Sequence, residues 1–379
     1  MQLKNQVTKM NFKSILFFII LFNMCFSQAQ VYNGDLVIST QNQMDSINLP
    51  EGDLYLKTII NGDLYIGKDN GSDITSLKNL SSITSINKSL HIRNNLNLIS
   101  ITGLEKASVK ESIYIHANPL LKSFEGLSGI ETLKGNVEIS HNYSITSLKG
   151  LHNLKTVHGY FELFFNSSLK SLKGVENLKN IDFYFSIDDN DSLESITNLN
   201  TEFKCQDIII KNNDALISVQ GLKSITEINS IIITSNKTLI ALKGLENIKR
   251  VNEGVFIYKN DALISLNGLN GLTKIKRGLC IWGNKSLISL SDLKHLEYIG
   301  KELYILENEN LKTLNGLENI TFVGDYLKIV DNYRLADLCA IKDLTCNQNG
   351  KKLIGSYQIN NNIYNPSIGD LKNGNCSGK

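Results

Sequence analysis

The 379 residues carry 39 Lys and Arg against 37 Asp and Glu, a formal net charge of +2. Setting aside three lysines near the N-terminus, Lys4, Lys9 and Lys13, leaves a balance near −1. No basic stripe marks a nucleic-acid surface and no acidic run marks a solvating tail, so neither class of partner is expected.

In chain order, residues 1–29 read as a cleaved signal peptide. The three lysines precede an apolar run, Ile15–Phe22, and Ser27-Gln28-Ala29 offers small residues at the positions a signal peptidase reads. Such a run is too short for a transmembrane segment, which needs about 20 apolar residues. The expected localisation is secreted, or at the cell surface in association with the outer membrane. Residues 30–63 are expected to form an N-terminal cap and first irregular turns. "GDLYIGKD" (62–69) has the glycine and lysine spacing of a phosphate-binding loop, but Asp69 stands where Ser or Thr would meet magnesium. Leu64-Tyr65-Ile66 also reads as a strand.

Residues 64–338 repeat. The element begins at Leu90, Ile113, Val137, Phe161, Phe185, Ile208, Ile231, Val255, Leu279, Leu303 and Leu327, every 23 or 24 residues until the last. Counting each start as zero, apolar residues recur at 0, 2, 8, 11, 14, 17 and 20. The alternation at 0 and 2 is strand periodicity, with positions 1 and 3 facing outward. Glycine fills position 13 in eight of ten turns, as a corner needing positive φ or close backbone approach would require. One turn cannot bury its own apolar edge, so turns must stack. The expected fold is all-β, a β-rich solenoid of about 24 residues per turn.

Position 5 is asparagine in all eleven turns: Asn95, Asn118, Asn142, Asn166, Asn190, Asn213, Asn236, Asn260, Asn284, Asn308 and Asn332. Solvation alone would not select one residue type eleven times. An inward amide at a strand end satisfies backbone groups freed where the chain turns, and stacked turns would join such amides into a ladder.

Catalytic and metal motifs are weak, and no cofactor or metal is expected. His91 and His116 fall on the outer face and His141 at a strand end, and solvated side chains are the expectation. Glu138 and Glu162 share position 1 in adjacent turns, with Asp188 nearby. Paired carboxylates at such spacing serve retaining glycosidases, so a carbohydrate-active enzyme is the alternative reading. The oxygen-rich "IDDNDSLE" (187–194) is a second-rank calcium candidate. Cys205 falls in a core column and is expected to be a buried thiol, whereas Cys280 faces outward. Residues 339–379 form a cysteine-containing C-terminal cap. A disulfide is expected there, Cys339–Cys376 first and Cys339–Cys346 second.

The outward columns change character along the chain. From Leu90 to the turn at Phe185 they are mostly polar. From Ile208 onward they turn apolar and aromatic, and Ile209, Ile232, Phe256, Tyr258, Trp282, Tyr304 and Leu306 form the candidate ligand-binding surface. Self-association as a homodimer through this aromatic face is the alternative use.

The pattern "I-x-x-G-x-L-x-I-x-x-N-x-x-L-x-S-L-x-G-L" resembles the receptor L-domain repeat, a relative of leucine-rich repeats found in growth-factor-type receptors and secreted bacterial surface proteins. The likeness covers about residues 34–379. "GDLVISTQNQMDSI" (34–47) resembles the N-terminal cap of the bacterial members, and "YQINNNIYNPSIGDLKNGNCS" (357–377) their C-terminal segment. It departs from ordinary leucine-rich repeats in placing leucine three residues after the asparagine, as Leu263 after Asn260. The resemblance implies a right-handed β-helix-like solenoid that binds ligands on its sheet. The function expected is therefore non-enzymatic recognition or adhesion toward a protein or glycan ligand at the cell surface, with a structural surface component as a further alternative.

Overall fold

The computed structural model describes residues 29–47 and 57–378. The expected signal peptide, but for Ala29, lies outside the described residues. Fourteen strands, from Leu36–Ile38 to Ser356–Asn360, pair in parallel and in chain order to make one continuous sheet. Successive strands meet without stagger, Val137 opposite Phe161 and Phe161 opposite Phe185, so each repeat column becomes a physical row. The fold is the expected β-solenoid with about 24 residues per turn.

Alternation within each strand decides what is buried. Positions 0 and 2, such as Val255 and Ile257 or Leu279 and Ile281, are wholly inside. Isoleucine and valine suit these places because a β-branched side chain packs well on a pleated surface. The leucines at 8, 11 and 14 line the rest of the interior, as Leu263, Leu266 and Leu269 do. A second, narrower face is built of short strands in sheets of four, three and six. Its pairing breaks twice, between Ser108–Val109 and Thr132–Leu133 and again in the turn after Phe185, where Asn180 meets Lys204 only through an isolated bridge. That turn has 23 residues, and its core aromatic Phe203 comes one place later than Leu178 and Ile225 in the turns beside it. Phe161, Phe185 and Phe203 fill the interior there, edge to face at 5.8 and 5.5 Å.

The asparagine ladder is present, and all eleven side chains are fully buried. Asn260 shows the pattern. Its backbone N–H and its Nδ2 both donate to Asn284 Oδ1, at 3.1 and 3.3 Å. Nδ2 also donates to the Ile233 carbonyl of the preceding turn at 2.9 Å, and its own Oδ1 accepts from the N–H and Nδ2 of Asn236, both at 3.1 Å. The chain is brought to this geometry by the residue before each asparagine, which is left-handed in every turn. Asn94, Ala117, His141, Phe165, Asp189, Asn212, Ser235, Lys259, Glu307 and Asp331 have φ between 51 and 62°, and Gly283 has 66°. One left-handed residue ends the strand and turns the next side chain inward, at a cost for any residue but glycine.

The corners at position 13 come in two forms. Gly103, Gly150, Gly174, Gly244, Gly268 and Gly316 have φ of 109–122°, and Asn198 substitutes for glycine at 62°. Gly126, Gly221 and Asp292 instead lie in short 3-10 helices. At the glycine corners a Cβ would strike the preceding turn's carbonyl, as at Leu242 for Gly268.

The N-terminal turns are irregular in length and pairing: a helix over Gln41–Ser46, N-capped by Thr40 and burying Met44, lies between Leu36–Ile38 and its partner strand, and the register of the next short strand shifts at Thr58/Ile59, yet Leu36–Ile38 already belongs to the main sheet. The repeat body, expected to close at residue 338, runs one turn further. Strand Ser356–Asn360 pairs with Tyr326–Val330, and Asn362 extends the ladder to Asn365, whose Oδ1 accepts from both its N–H and Nδ2 at 3.0 Å. Helices Lys342–Thr345 and Ile368–Lys372 cover this end, the second held by a capping box between Ser367 and Asp370. Cys339 and Cys376 form the disulfide, and the Leu338 N–H donates to the Cys376 carbonyl at 2.9 Å. Cys205, Cys280 and Cys346 are free thiols.

Candidate binding face

The outer face of the main sheet carries positions 1 and 3 of every turn together with the residue just before each strand start. In the C-terminal half, five adjacent strands bring the seven candidate residues side by side. Ile209 lies opposite Ile232, Ile232 opposite Phe256, Tyr258 opposite Trp282 and Trp282 opposite Leu306. Cys280 sits between Phe256 and Tyr304, and burial pushes its thiol up to about 11, so it behaves as a small apolar group here. Phe256 is 36% exposed and the other six are half-buried. The cover comes from their neighbours one strand away, not from the core.

The aromatic centre of this face is Tyr258 beside Trp282, their ring centroids 5.9 Å apart and the Lys259 ammonium 4.8 Å from the Trp282 ring. The indole N–H of Trp282 is covered and has no acceptor. At the edge of the patch a notch of about 310 Å3 is lined by Phe256, Gly254, Gly278, Arg277, Glu253 and Glu302. Its shape follows from the glycines: the Phe256 ring lies where a Cβ on Gly254 would be. Arg277 donates to Glu253 at 2.7 Å, so the notch offers an aromatic wall next to a charged pair. An aromatic surface with fixed hydrogen-bonding groups beside it is the composition of sugar- and protein-contact sites.

The N-terminal half is also aromatic, which corrects the contrast expected from positions 1 and 3 alone. Tyr65, His91 and Tyr114 stack ring on ring at 4.3 and 4.8 Å, and His116 follows at 6.1 Å. Tyr160 and Tyr184, at the position before the strand start, stack at 4.9 Å. That position faces outward by the same alternation as 1 and 3, so the signal was in the sequence in a column left unread. His91 and His116 are not the solvated side chains expected. Strands about 4.8 Å apart place rings in contact, and the resulting burial pushes both imidazoles below their ordinary value.

Glu138 and Glu162 lie opposite one another as their shared column requires. The Tyr160 hydroxyl donates to Glu138 at 3.2 Å, and His116 Nε2 lies 3.7 Å from it. Burial first, and the Glu138 charge second, hold the Glu162 carboxyl above the usual range. Asp188 and Asp189 both accept from the Asn212 amide, and among the described residues no group of three or more His, Cys, Asp or Glu converges as metal ligands. The "GDLYIGKD" lysine loop is not a phosphate cradle: Leu64–Ile66 is a strand of the main sheet, and Asp69 pairs with Arg93 at 3.1 Å.

A concavity of about 610 Å3 opens on the other face, at the second break in the short sheets, lined by His158, Asp182, Phe183, Lys204 and Cys205 among others. Cys205 stands there in the column that holds Ile181 and Ile228 in the turns on either side. It is remote from the aromatic patch, and its His158 and Asp182 already satisfy each other at 2.6 Å.

Among the described residues no helix is long and apolar enough to cross a membrane. Fold and face together define a β-solenoid repeat protein with a long, outward-facing sheet. No protein-family model matches the sequence, and no curated protein matches it.

Proposed function

We propose that this is an exported, non-enzymatic recognition protein whose main-sheet face, from Ile209 to Leu306, binds a protein or glycan at the cell surface. The observation that carries the reading is the run of five strands whose position 1 is apolar or aromatic in every turn, joined at position 3 by Tyr258, Trp282 and Leu306, with Lys211 and Thr234 the polar exceptions at its start. The solenoid core does not require them, because positions 0 and 2 already close it. Contiguous outward patches of this kind mark interaction sites in soluble proteins, and Trp and Tyr are the residues that anchor such contacts most often. The Phe256 notch supplies the directional polar groups that a flat apolar patch lacks. The receptor L-domain likeness points the same way, since ligands of that family are bound on the sheet.

The test is a glycan array and a pull-down from cell-surface extracts, run with the wild type and with Trp282→Ala, Tyr258→Ala together. Loss of binding with unchanged thermal stability supports the face. A second reading rests on the raised Glu162 carboxyl beside Glu138, a pair suited to glycoside cleavage. Release of reducing sugar that is abolished by Glu138→Gln with Glu162→Gln would replace recognition with catalysis.

A further inference from the structure

Position 9 of the repeat lies on the flank between the main-sheet strand end and the corner at position 13. In four consecutive turns it is isoleucine: Ile217, Ile240, Ile264 and Ile288, exposed by 56, 52, 48 and 49%. The turns on either side carry Glu194 and Lys312 there, so the run is bounded. It is also continuous: the Ile264 N–H donates to the Ile240 carbonyl at 3.2 Å, and the Ile288 N–H to the Ile264 carbonyl at 3.3 Å. Positions 7 and 10 are Ala, Ser or Thr in all four turns, which leaves the isoleucines standing above their surroundings.

Three residues upstream, position 6 of the same four turns reads Asp214, Lys237, Asp261 and Lys285. Within the chain they pair as Lys237 with Asp214 at 2.6 Å and Lys285 with Asp261 at 2.9 Å, all four on the surface. The order acid, base, acid, base has a consequence under twofold symmetry. A twofold axis lying in the contact plane, across the stack and between the turns of Ile240 and Ile264, reverses the order of turns and keeps each column opposite itself. It sets Asp214 against Lys285 and Lys237 against Asp261 of the second copy, while Ile240 meets Ile264 and Ile217 meets Ile288. A shift of one turn toward the C-terminus would oppose like charges throughout, and one toward the N-terminus would do so for all but Lys285, which would face Asp191. A parallel arrangement would set Lys237 against Lys243, at position 12 of its turn. In the next turns out, Glu194 meets Lys312 but Asp191 meets Glu309, so the match ends with the isoleucines.

We propose that this flank binds a second copy of the chain, antiparallel, with the four isoleucines as the contact and the position-6 charges as its register. An isologous contact needs a self-complementary patch, and charge patterns of this kind fix register and partner more than they add affinity. Four turns span roughly 14 Å at the strand spacing, short of the side of a standard interface of about 800 Å2 per partner. The dimer is therefore reversible, with a dissociation constant on the order of 1–100 µM. It leaves the main-sheet face free and stands independently of what that face binds.

Sedimentation velocity over roughly that concentration range tests it. The wild type should pass from monomer to dimer. Lys237→Glu and Asp261→Lys should each weaken association by about tenfold or more, because each change turns two attractive contacts of the dimer repulsive. An equimolar mixture of the two variants should dimerise like the wild type, since the new carboxylate at 237 of one chain faces the new ammonium at 261 of the other. Ile240→Glu should abolish association in an otherwise folded chain, as circular dichroism would confirm. A wild type that stays monomeric, or a mixture no more associated than its components, overturns the proposal.

Discussion

Replacing Asn260 with Ala removes one rung from the middle of the ladder, and the structure says which groups are left without partners. Asn260 Oδ1 is the acceptor for the buried Asn236 N–H, so that donor is orphaned. The Ile233 carbonyl loses the Nδ2 donor at 2.9 Å. Asn284 Oδ1 keeps the Asn260 backbone N–H and is only weakened. The side amide of Asn236 retains the carbonyls of Ile210 and Thr234. One buried N–H left unpaired and two carbonyls, Ile233 and Tyr258, each deprived of one donor come to about 3 kcal/mol. Asn95 is the informative comparison. It opens the ladder, its Oδ1 accepts from nothing, and its truncation deprives only the Ile66 carbonyl. Asn95→Ala should therefore cost about 1 kcal/mol. Urea melts followed by fluorescence measure both, and the chain's one tryptophan, Trp282, sits in the turn next to Asn260. If the two substitutions cost the same, the ladder is not what the asparagines are for.

Opening the terminal clip with Cys376→Ser frees a loop spanning 37 residues, worth about 3–4 kcal/mol on the chain-entropy argument. Because turns are held by their neighbours, hydrogen exchange should show opening from about Leu303 to the C-terminus and little change before Phe161; uniform loss would refute this. Glu162→Gln should reveal a pH-dependent strain. The folded carboxyl titrates above its ordinary 4.5, so the folded state holds the proton more tightly and stability falls as pH rises past that value. The Gln variant should match the wild type in acid, below the ordinary value, and exceed it at neutral pH; thermal melts that run parallel at all pH values would remove the argument.

What could be read from the sequence is whatever repeats. In a solenoid a residue's spatial neighbour is its counterpart one turn away, so the 24-residue spacing is itself the contact map. That is why the core columns, the ladder from Asn95 to Asn332 and the alignment of Ile209, Ile232 and Phe256 could be placed in advance. Departures from the period were decided by the folded chain. Five of the eleven left-handed residues before the asparagines are Asn, Asp or Gly, which adopt that conformation readily, but Ala117, Phe165 and Lys259 are not, so residue preference alone does not signal it. It is imposed because the buried amide must point inward, and the ladder bonds outweigh the local strain. Tertiary packing also chose between glycine and 3-10 corners and half-buried His91 between two tyrosine rings. At the last turn, where no further repeat could supply an acceptor, it gave Asn365 the task of ending the ladder. Periodicity reports which residues meet; the conformation each adopts to meet depends on the turns stacked on either side.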